Sequence, residues 1–94
     1  MIIAVDYDGI LERNGVMNDE LIRRLSVAQR GGNVVILWTC RSGRRLADAV
    51  ARLRSTGFVP NFVNENCPAA VAMLRSNPRK IYADIYIDDK NGVI

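Results

Sequence analysis

The sequence predicts a three-layer α/β domain, with helices on both faces of a minimal parallel sheet of about four strands. Two observations predict it. Short apolar segments alternate with segments of helical periodicity along the chain, and these apolar segments resemble strands that are covered on both faces. A chain of 94 residues has room for one hydrophobic core, so residues 1–94 are expected to form one domain.

The first half of the chain predicts a strand, a hairpin and a helix. The wholly apolar run 2–5 predicts the first strand. Asn14-Gly15 lies between two short arms, which predicts a hairpin flap at about residues 10–17. Asn18 is a suitable N-cap for the first helix, and Gly31-Gly32 is expected to end it.

The second half repeats the alternation of strand and helix. Residues 34–38 predict the second strand, and a second helix is expected between Gly43 and Gly57. Residues 58–63 predict a weaker third strand because Pro60 interrupts it, and a third helix is expected from Pro68 to Asn77-Pro78. Residues 81–87 predict the last strand, so the crevice of the domain should lie at the carboxyl ends of the strands.

Composition excludes several classes of function. The chain has no histidine, which excludes Ser-His-Asp triads, Cys-His pairs and the usual catalytic zinc sites. Cys40 and Cys67 are too few for a zinc site and are expected to be free thiols. Because neither a long apolar segment nor a basic leader is present, the expected location is cytoplasmic, without a membrane partner.

The charged residues are segregated along the chain. Residues 21–80 contain eleven Arg and Lys but only Asp48 and Glu65 as acids, a net charge of +9. The two flanking segments together carry −6, which gives the overall charge of +3. The basic segment is either a solvated helix surface or an electrostatic guide for an anionic partner, such as a phosphate ester or nucleic acid.

Acidic side chains follow the first and the last predicted strand. Asp6 and Asp8 come after the first, and Asp88-Asp89 after the last. If these strands are neighbours, the carboxylates converge, and such a group is favourable only around a cation. Oxygen ligands without His or Cys favour Mg²⁺. The alternative is that Asp and Gly simply end the strands as turn residues.

Three segments together resemble motifs of the haloacid dehalogenase-like (HAD) superfamily. Residues 2–9, Ile-Ile-Ala-Val-Asp-Tyr-Asp-Gly, resemble its first motif, an apolar strand followed by Asp-x-Asp-Gly. Residues 34–39, ending in Thr39, resemble the second motif, and residues 85–89 resemble the fourth. They occur in the family's order over nearly the whole chain. The resemblance implies a Rossmann-like HAD fold, here without room for a cap domain.

The resemblance also implies a phosphatase that forms an aspartyl-phosphate. Asp6 would be the nucleophile, and Asp8 would protonate the leaving oxygen and then activate water, a role that needs a raised pKa. The backbone carbonyl of Asp8, with Asp6, Asp88 and Asp89, would hold Mg²⁺. One departure is Ile10, where the family usually has threonine.

The remaining roles concern the phosphoryl group. Thr39 would donate a hydrogen bond to it, and Lys80 is by position the better candidate for the lysine of the family's third motif, unless it is a solvated lysine at a strand end. Arg41, two residues after Thr39, is either a substrate-binding group or a surface residue. Asp84 is expected to be structural.

Two other classes of function stay open at this stage. The first is a phosphate- or nucleic-acid-binding module with a vestigial or regulatory acidic metal site, based on the +9 segment. The second is a phosphoacceptor switch, which the Asp-x-Asp spacing disfavours. For the enzyme, the expected partner is a phosphorylated substrate, either macromolecular or a nucleotide, and the small domain is compatible with a homo-oligomer.

Overall fold

Strands and helices alternate in the computed structural model, which describes residues 1–74 and 81–88. In chain order the elements are β1 (Ile2–Val5), β2 (Glu12–Arg13), β3 (Val16–Met17), α1 (Asp19–Arg30), β4 (Val34–Leu37), α2 (Gly43–Ser55), β5 (Phe62–Val63), α3 (Pro68–Leu74) and β6 (Ile85–Ile87). Over these ranges, no helix combines the length and the apolar character that crossing a membrane requires.

The main sheet has the strand order β5-β4-β1-β6, and all its neighbouring strands are parallel. Val5 is paired with Leu37 on one side and with Ile87 on the other, and Leu37 is paired with Val63. The predicted α/β class with a four-stranded parallel sheet is therefore confirmed, and the architecture is compatible with a Rossmann-like fold. β2 and β3 form a separate antiparallel hairpin after β1.

The hydrophobic core lies on both faces of the sheet because neither face is polar. On one face, Val5 and Leu37 belong to a cluster of buried side chains that includes Leu25 of α1 and Leu53 of α2. On the other face, Ala4 and Ile36 pack with side chains of the segment 81–83. The uniformly apolar sequence of the central strands follows from this two-sided burial.

Helix α1 begins and ends as its sequence predicts. The side-chain oxygen of Asn18 accepts a hydrogen bond from the Leu21 N–H at 3.2 Å, and Gly31 is the C-cap. In α2, the apolar side chains are buried to different degrees. Leu53 is fully buried, whereas Leu46 and Val50 are half-buried and the smaller Ala49 takes the buried position.

The third and last strands are shorter than predicted because polar side chains replace part of the backbone pairing. β5 covers only Phe62–Val63, and before it the Oδ1 atom of Asn61 accepts a hydrogen bond from the Val35 N–H at 2.8 Å. β6 covers only Ile85–Ile87, and before it the Oδ2 atom of Asp84 accepts one from the Ile2 N–H at 2.7 Å. The predicted end of the third helix at Asn77-Pro78 lies outside the described residues.

The strand order reverses direction at β1, and this places the functional crevice. From β1 the chain moves through β4 to β5 on one side, whereas β6 returns to the other side of β1. In open parallel sheets, ligands bind outside the carboxyl ends of the strands at such a reversal. The expected crevice therefore lies beside the residues that follow β1 and β6.

Candidate active site

Asp6 and Asp88 follow the paired ends of β1 and β6. Val5 and Ile87 are in register, and the Asp6 N–H donates a hydrogen bond to the Ile87 carbonyl oxygen at 3.0 Å. Each aspartate directly follows the last residue of its strand, and both aspartates are half-buried. The structure therefore places these two predicted site residues side by side, at the point where the strand order reverses.

The residue after Asp6 anchors this loop in the core. The Tyr7 N–H donates to Oδ1 of Asp6 at 2.7 Å, which orients the carboxylate. The Tyr7 side chain is fully buried, and burial raises the pKa of its hydroxyl. That hydroxyl donates to the sulfur of Met17 at 3.9 Å, so Tyr7 also links the hairpin to the loop that carries Asp6.

Thr39 lies at the end of the neighbouring strand β4, and its position is fixed from two sides. Its N–H donates to Oδ1 of Asn64 at 2.8 Å, and its hydroxyl oxygen accepts from the Arg41 N–H at 3.1 Å. Only 8% of Thr39 is exposed. A hydroxyl that accepts through its oxygen can still donate its own proton, as contact with a phosphoryl oxygen requires.

Asn64 is a site residue that sequence reasoning missed. It follows β5 with a positive φ of 53°, a left-handed conformation that asparagine tolerates better than most residues. In this conformation, the Asn64 side chain accepts the hydrogen bond from the Thr39 N–H. The available signal was the repetition of asparagine at positions 61, 64 and 66, because Asn commonly bonds to nearby backbone groups.

Arg41 forms a bidentate ion pair with Asp8. The Nε atom of Arg41 lies 3.0 Å from Oδ2 of Asp8, and its Nη2 atom lies 2.7 Å from Oδ1. The guanidinium also stacks on the Tyr7 ring, 4.7 Å from its centre. The Arg41 side chain is only 17% exposed, so it packs against the protein rather than extending into solvent, and its role in substrate binding stays a prediction.

The ion pair reverses the expected electrostatics of Asp8. The hydrogen bonds from Arg41 lower the pKa of the Asp8 carboxyl, and the positive charges of Arg41 and Arg45 add to this effect. The same pairing raises the pKa of Arg41. The raised pKa expected for Asp8 from neighbouring anions is therefore wrong for this state, because its nearest charged partner is a cation. Asp8 is here a carboxylate, the form that accepts a proton.

Glu12 is the second residue that the sequence did not single out. Its side chain is 14% exposed, and Oε2 accepts from Nη2 of Arg41 at 3.3 Å. Its Oε1 accepts from the Gly15 N–H at 2.9 Å, across the turn of the hairpin. Glu12 therefore connects the hairpin to Arg41. Its sequence signal was weak, since a charged residue at the start of a hairpin is usually solvated.

The donor set at the strand ends fits Mg²⁺. Over residues 1–74 and 81–88, no three acidic or cysteine side chains lie close enough together to hold a metal ion. Magnesium does not require such a cage, because it commonly binds one or two carboxylates together with water and substrate phosphate. Asp6 and Asp88, which follow paired strand ends, would be the two carboxylates of such a site, whereas the Asp8 carboxylate is bound to Arg41.

Three further predicted residues are located differently. Lys80 and Asp89 lie outside the described residues. Asp84 lies at the opposite end of β6, where its N–H donates to the Ile2 carbonyl oxygen at 2.8 Å and its Oδ2 accepts from the Ile2 N–H at 2.7 Å. These two bonds fasten the start of β1, as expected for a structural residue.

Comparison with known proteins identifies a relative of this chain. No protein-family model and no curated protein matches the chain. A solved structure does match, that of a conserved protein coded by a locus of Bacteroides thetaiotaomicron, with 31% sequence identity and a TM-score of 0.77. The match covers 97% of this chain and 77% of that one. The chain belongs to the family of this Bacteroides protein. The shared fold extends over nearly the whole chain.

We expect Arg41 to stabilise the fold as well as the site. Replacing it in Arg41→Met removes the ion pair with Asp8, leaves the largely buried Glu12 without its cation and removes the stacking on Tyr7. The free energy of unfolding in urea should fall by about 1–2 kcal/mol. The control Arg45→Met, at an exposed position, should change it by less than about 0.5 kcal/mol. Equal effects of the two substitutions would contradict this role of Arg41.

Proposed function

We propose that the protein is a Mg²⁺-dependent phosphomonoester hydrolase of the HAD type, which acts through an aspartyl-phosphate on Asp6. The observation that carries the proposal is the pairing of Asp6 and Asp88 at the reversal of strand order. The hydroxyl-bearing Thr39 lies at the end of the next strand. A nucleophile, a cation ligand and a hydrogen-bond donor then belong to three adjacent strands, as the resemblance in sequence requires.

The first half of the reaction transfers the phosphoryl group to the protein. An oxygen of the Asp6 carboxylate attacks phosphorus, and the bond between phosphorus and the ester oxygen breaks. The Asp8 carboxylate, which is paired with Arg41, has to release this partner and bind a proton when the ester binds, so that it can give the proton to the leaving oxygen. Thr39 donates a hydrogen bond to a phosphoryl oxygen. The Tyr7 N–H holds the Asp6 carboxylate in a fixed orientation for this attack.

The second half returns the protein to its starting state. Asp8, now a carboxylate, takes a proton from water while the water oxygen attacks phosphorus. The bond between phosphorus and Asp6 breaks, so inorganic phosphate leaves and the Asp6 carboxylate is restored. The ion pair with Arg41 favours the carboxylate form of Asp8, which suits this second step.

The remaining groups neutralise negative charge. Asp6, Asp88 and the backbone carbonyl of Asp8 would hold Mg²⁺, which would supply positive charge to offset that of the phosphate and of the attacking carboxylate. We assign Asp89 as a further ligand and Lys80 as the lysine of the third motif on the sequence resemblance alone. Arg41 is the cation nearest to Asp8, and its guanidinium is suited to bind phosphate oxygens in the same bidentate manner.

Two connections in the described part of the proposed enzyme leave no room for a cap domain. Residues 6–18 connect β1 to α1 through a short hairpin, and only residues 56–61 connect α2 to β5. Neither connection is long enough to form a second domain over the strand ends. A large phosphorylated substrate could therefore reach the site, and specificity would depend on contacts outside it.

The direct test is the release of phosphate from p-nitrophenyl phosphate by the purified protein, with Mg²⁺ and with EDTA. We expect turnover that depends on Mg²⁺ and is lost when the chelator is present, because two adjacent carboxylates repel a phosphate dianion unless a cation lies between them. Turnover that is equal in EDTA would exclude the metal-dependent mechanism. A folded protein that neither turns over this ester nor binds Mg²⁺ would exclude the proposed site.

A further inference from the structure

Basic side chains follow the edge of α2 that faces the hairpin. Arg41 is the first, in the loop before the helix, and Arg45 and Arg52 continue at spacings of four and seven residues, which keeps them on one side. The Arg52 guanidinium donates to the Gly15 carbonyl oxygen, so this side lies against the hairpin. We call Arg41, Arg45 and Arg52 the basic edge.

The basic edge is continuous with the candidate active site. Its first member holds Asp8. The Nη1 atom of Arg41 lies 3.5 Å from the Arg45 carbonyl oxygen, and Arg52 contacts the hairpin that follows β1. The basic edge therefore extends from the Asp8 loop along the side of α2 that faces the hairpin.

Most of this positive charge is not neutralised by acidic side chains. In the described part of the chain, the arginines in ion pairs are Arg23, Arg24 and Arg41, and neither Arg45 nor Arg52 is among them. Asp48 is the single acid of α2, and Arg45 and Arg52 are exposed. An exposed row of like charges beside a phosphate site favours a partner with repeated negative charge.

We propose that the basic edge binds the phosphodiester backbone of single-stranded nucleic acid, whose terminal phosphate enters the site at the strand ends. The second part of this statement rests on the proposed phosphatase function, whereas binding along α2 does not. Nucleic acid fits better than a phosphoprotein because it carries a phosphate at every nucleotide. Seven helical residues rise by about 10.5 Å, roughly three steps of a stacked strand at about 3.4 Å each.

The exposed aromatic side chain nearest in sequence to the site lies on the other face of the sheet. Trp38 directly precedes Thr39, and 38% of it is exposed, but its edge-to-face contact at 6.0 Å is with Tyr86, which packs against Ala4 and Ile36 on the face opposite α2. The choice of nucleic acid therefore depends on the charges of the basic edge and not on base stacking.

The test measures binding of a fluorescein-labelled oligothymidylate with a 5′ phosphate to the Asp6→Asn protein, so that turnover does not interfere. Log affinity falls as log salt concentration rises, and each arginine that contacts a phosphate makes this slope steeper by about 0.7. At about 0.1 M salt, Arg45→Gln should therefore weaken binding roughly 5-fold, and Arg45→Gln with Arg52→Gln roughly 25-fold. The single variant is included because Arg52 also contacts the hairpin.

The matched control replaces two arginines that are not on the basic edge. Arg30 ends α1, and Arg54 lies in the last turn of α2 with Arg52 but about 200° around the helix from it; both are exposed. Arg30→Gln with Arg54→Gln removes the same charge and should leave the affinity within about 2-fold. Equal weakening by the two double variants would mean that only the net charge matters, and it would overturn the proposal.

Two other outcomes are informative. Tighter binding of a phosphoserine peptide than of the oligothymidylate would overturn the choice of nucleic acid. If the unsubstituted protein releases no phosphate from p-nitrophenyl phosphate but oligothymidylate binding depends on Arg45 and Arg52, the phosphatase proposal fails and the binding proposal stands. If the protein turns over p-nitrophenyl phosphate but does not bind the oligothymidylate, the binding proposal fails and the phosphatase proposal stands.

Discussion

Asp6→Asn should abolish the release of phosphate from p-nitrophenyl phosphate while the protein stays folded. The amide that replaces the carboxylate is a poor nucleophile, and it cannot form the acyl phosphate on which the second step depends. We expect the rate to fall by at least about 10³-fold, which corresponds to roughly 4 kcal/mol of lost transition-state stabilisation. The substitution is nearly isosteric, and the amide oxygen can still accept the Tyr7 N–H.

The control for this variant is Asp48→Asn, which changes the same functional group on the exposed surface of α2. Its turnover should equal that of the unsubstituted protein. Circular dichroism and urea unfolding of both variants would show whether a loss of turnover reflects chemistry or folding. If Asp6→Asn retained more than about a tenth of the rate, Asp6 could not be the nucleophile.

The sequence predicted the parts of the fold that depend on burial and on local capping. The apolar runs of β1 and β4 indicated a two-sided sheet, and Asn18 and Gly31 indicated where α1 begins and ends. These features are encoded within a few residues of one another. The pairing of Asp6 with Asp88 was also predictable, because each aspartate directly follows an apolar strand.

The ends of β5 and β6 could not be predicted in the same way. Their shortened pairing depends on polar side chains that bond to backbone groups far along the chain, Asn61 to Val35 and Asp84 to Ile2. Apolar patterning does not show which polar groups will replace a backbone partner. Apolar patterning also misplaces Phe58, which is fully buried but lies outside the strand that its apolar character predicted.

The electrostatics of the site was predictable only in part, for a similar reason. The sequence shows that Asp8 lies near other acids, but Arg41 is 33 residues away along the chain, and the fold brings it to Asp8. The sign of the pKa change depends on this tertiary contact rather than on the local charge pattern. Glu12 completes the arrangement from the hairpin, which the sequence located without indicating what its side chains contact.

Asp88→Asn should remove most of the stabilisation that Mg²⁺ gives to the fold. A ligand that binds only the folded state adds about 2.7 kcal/mol at 100 times its Kd, and 1 kcal/mol raises the Tm of a domain this small by roughly 4–8 °C. Mg²⁺ should therefore raise the Tm of the unsubstituted protein by roughly 10–20 °C. With one of the two adjacent carboxylates replaced by an amide, the same Mg²⁺ concentration should raise it by only a few degrees.

Asp84→Ala is the informative counterpart because Asp84 and Asp88 lie at opposite ends of the same strand. The Asp84 carboxylate accepts a hydrogen bond from Ile2, so its loss should lower stability by about 0.5–1.5 kcal/mol both with and without Mg²⁺. The increase in Tm on adding Mg²⁺ should stay the same. Together the two variants separate a carboxylate that fastens β1 from one that binds a cation. If Mg²⁺ still raised the Tm of Asp88→Asn by the full amount, the cation would bind elsewhere. The pairing of Asp6 with Asp88 would then not be a metal site, and the proposed chemistry would be contradicted.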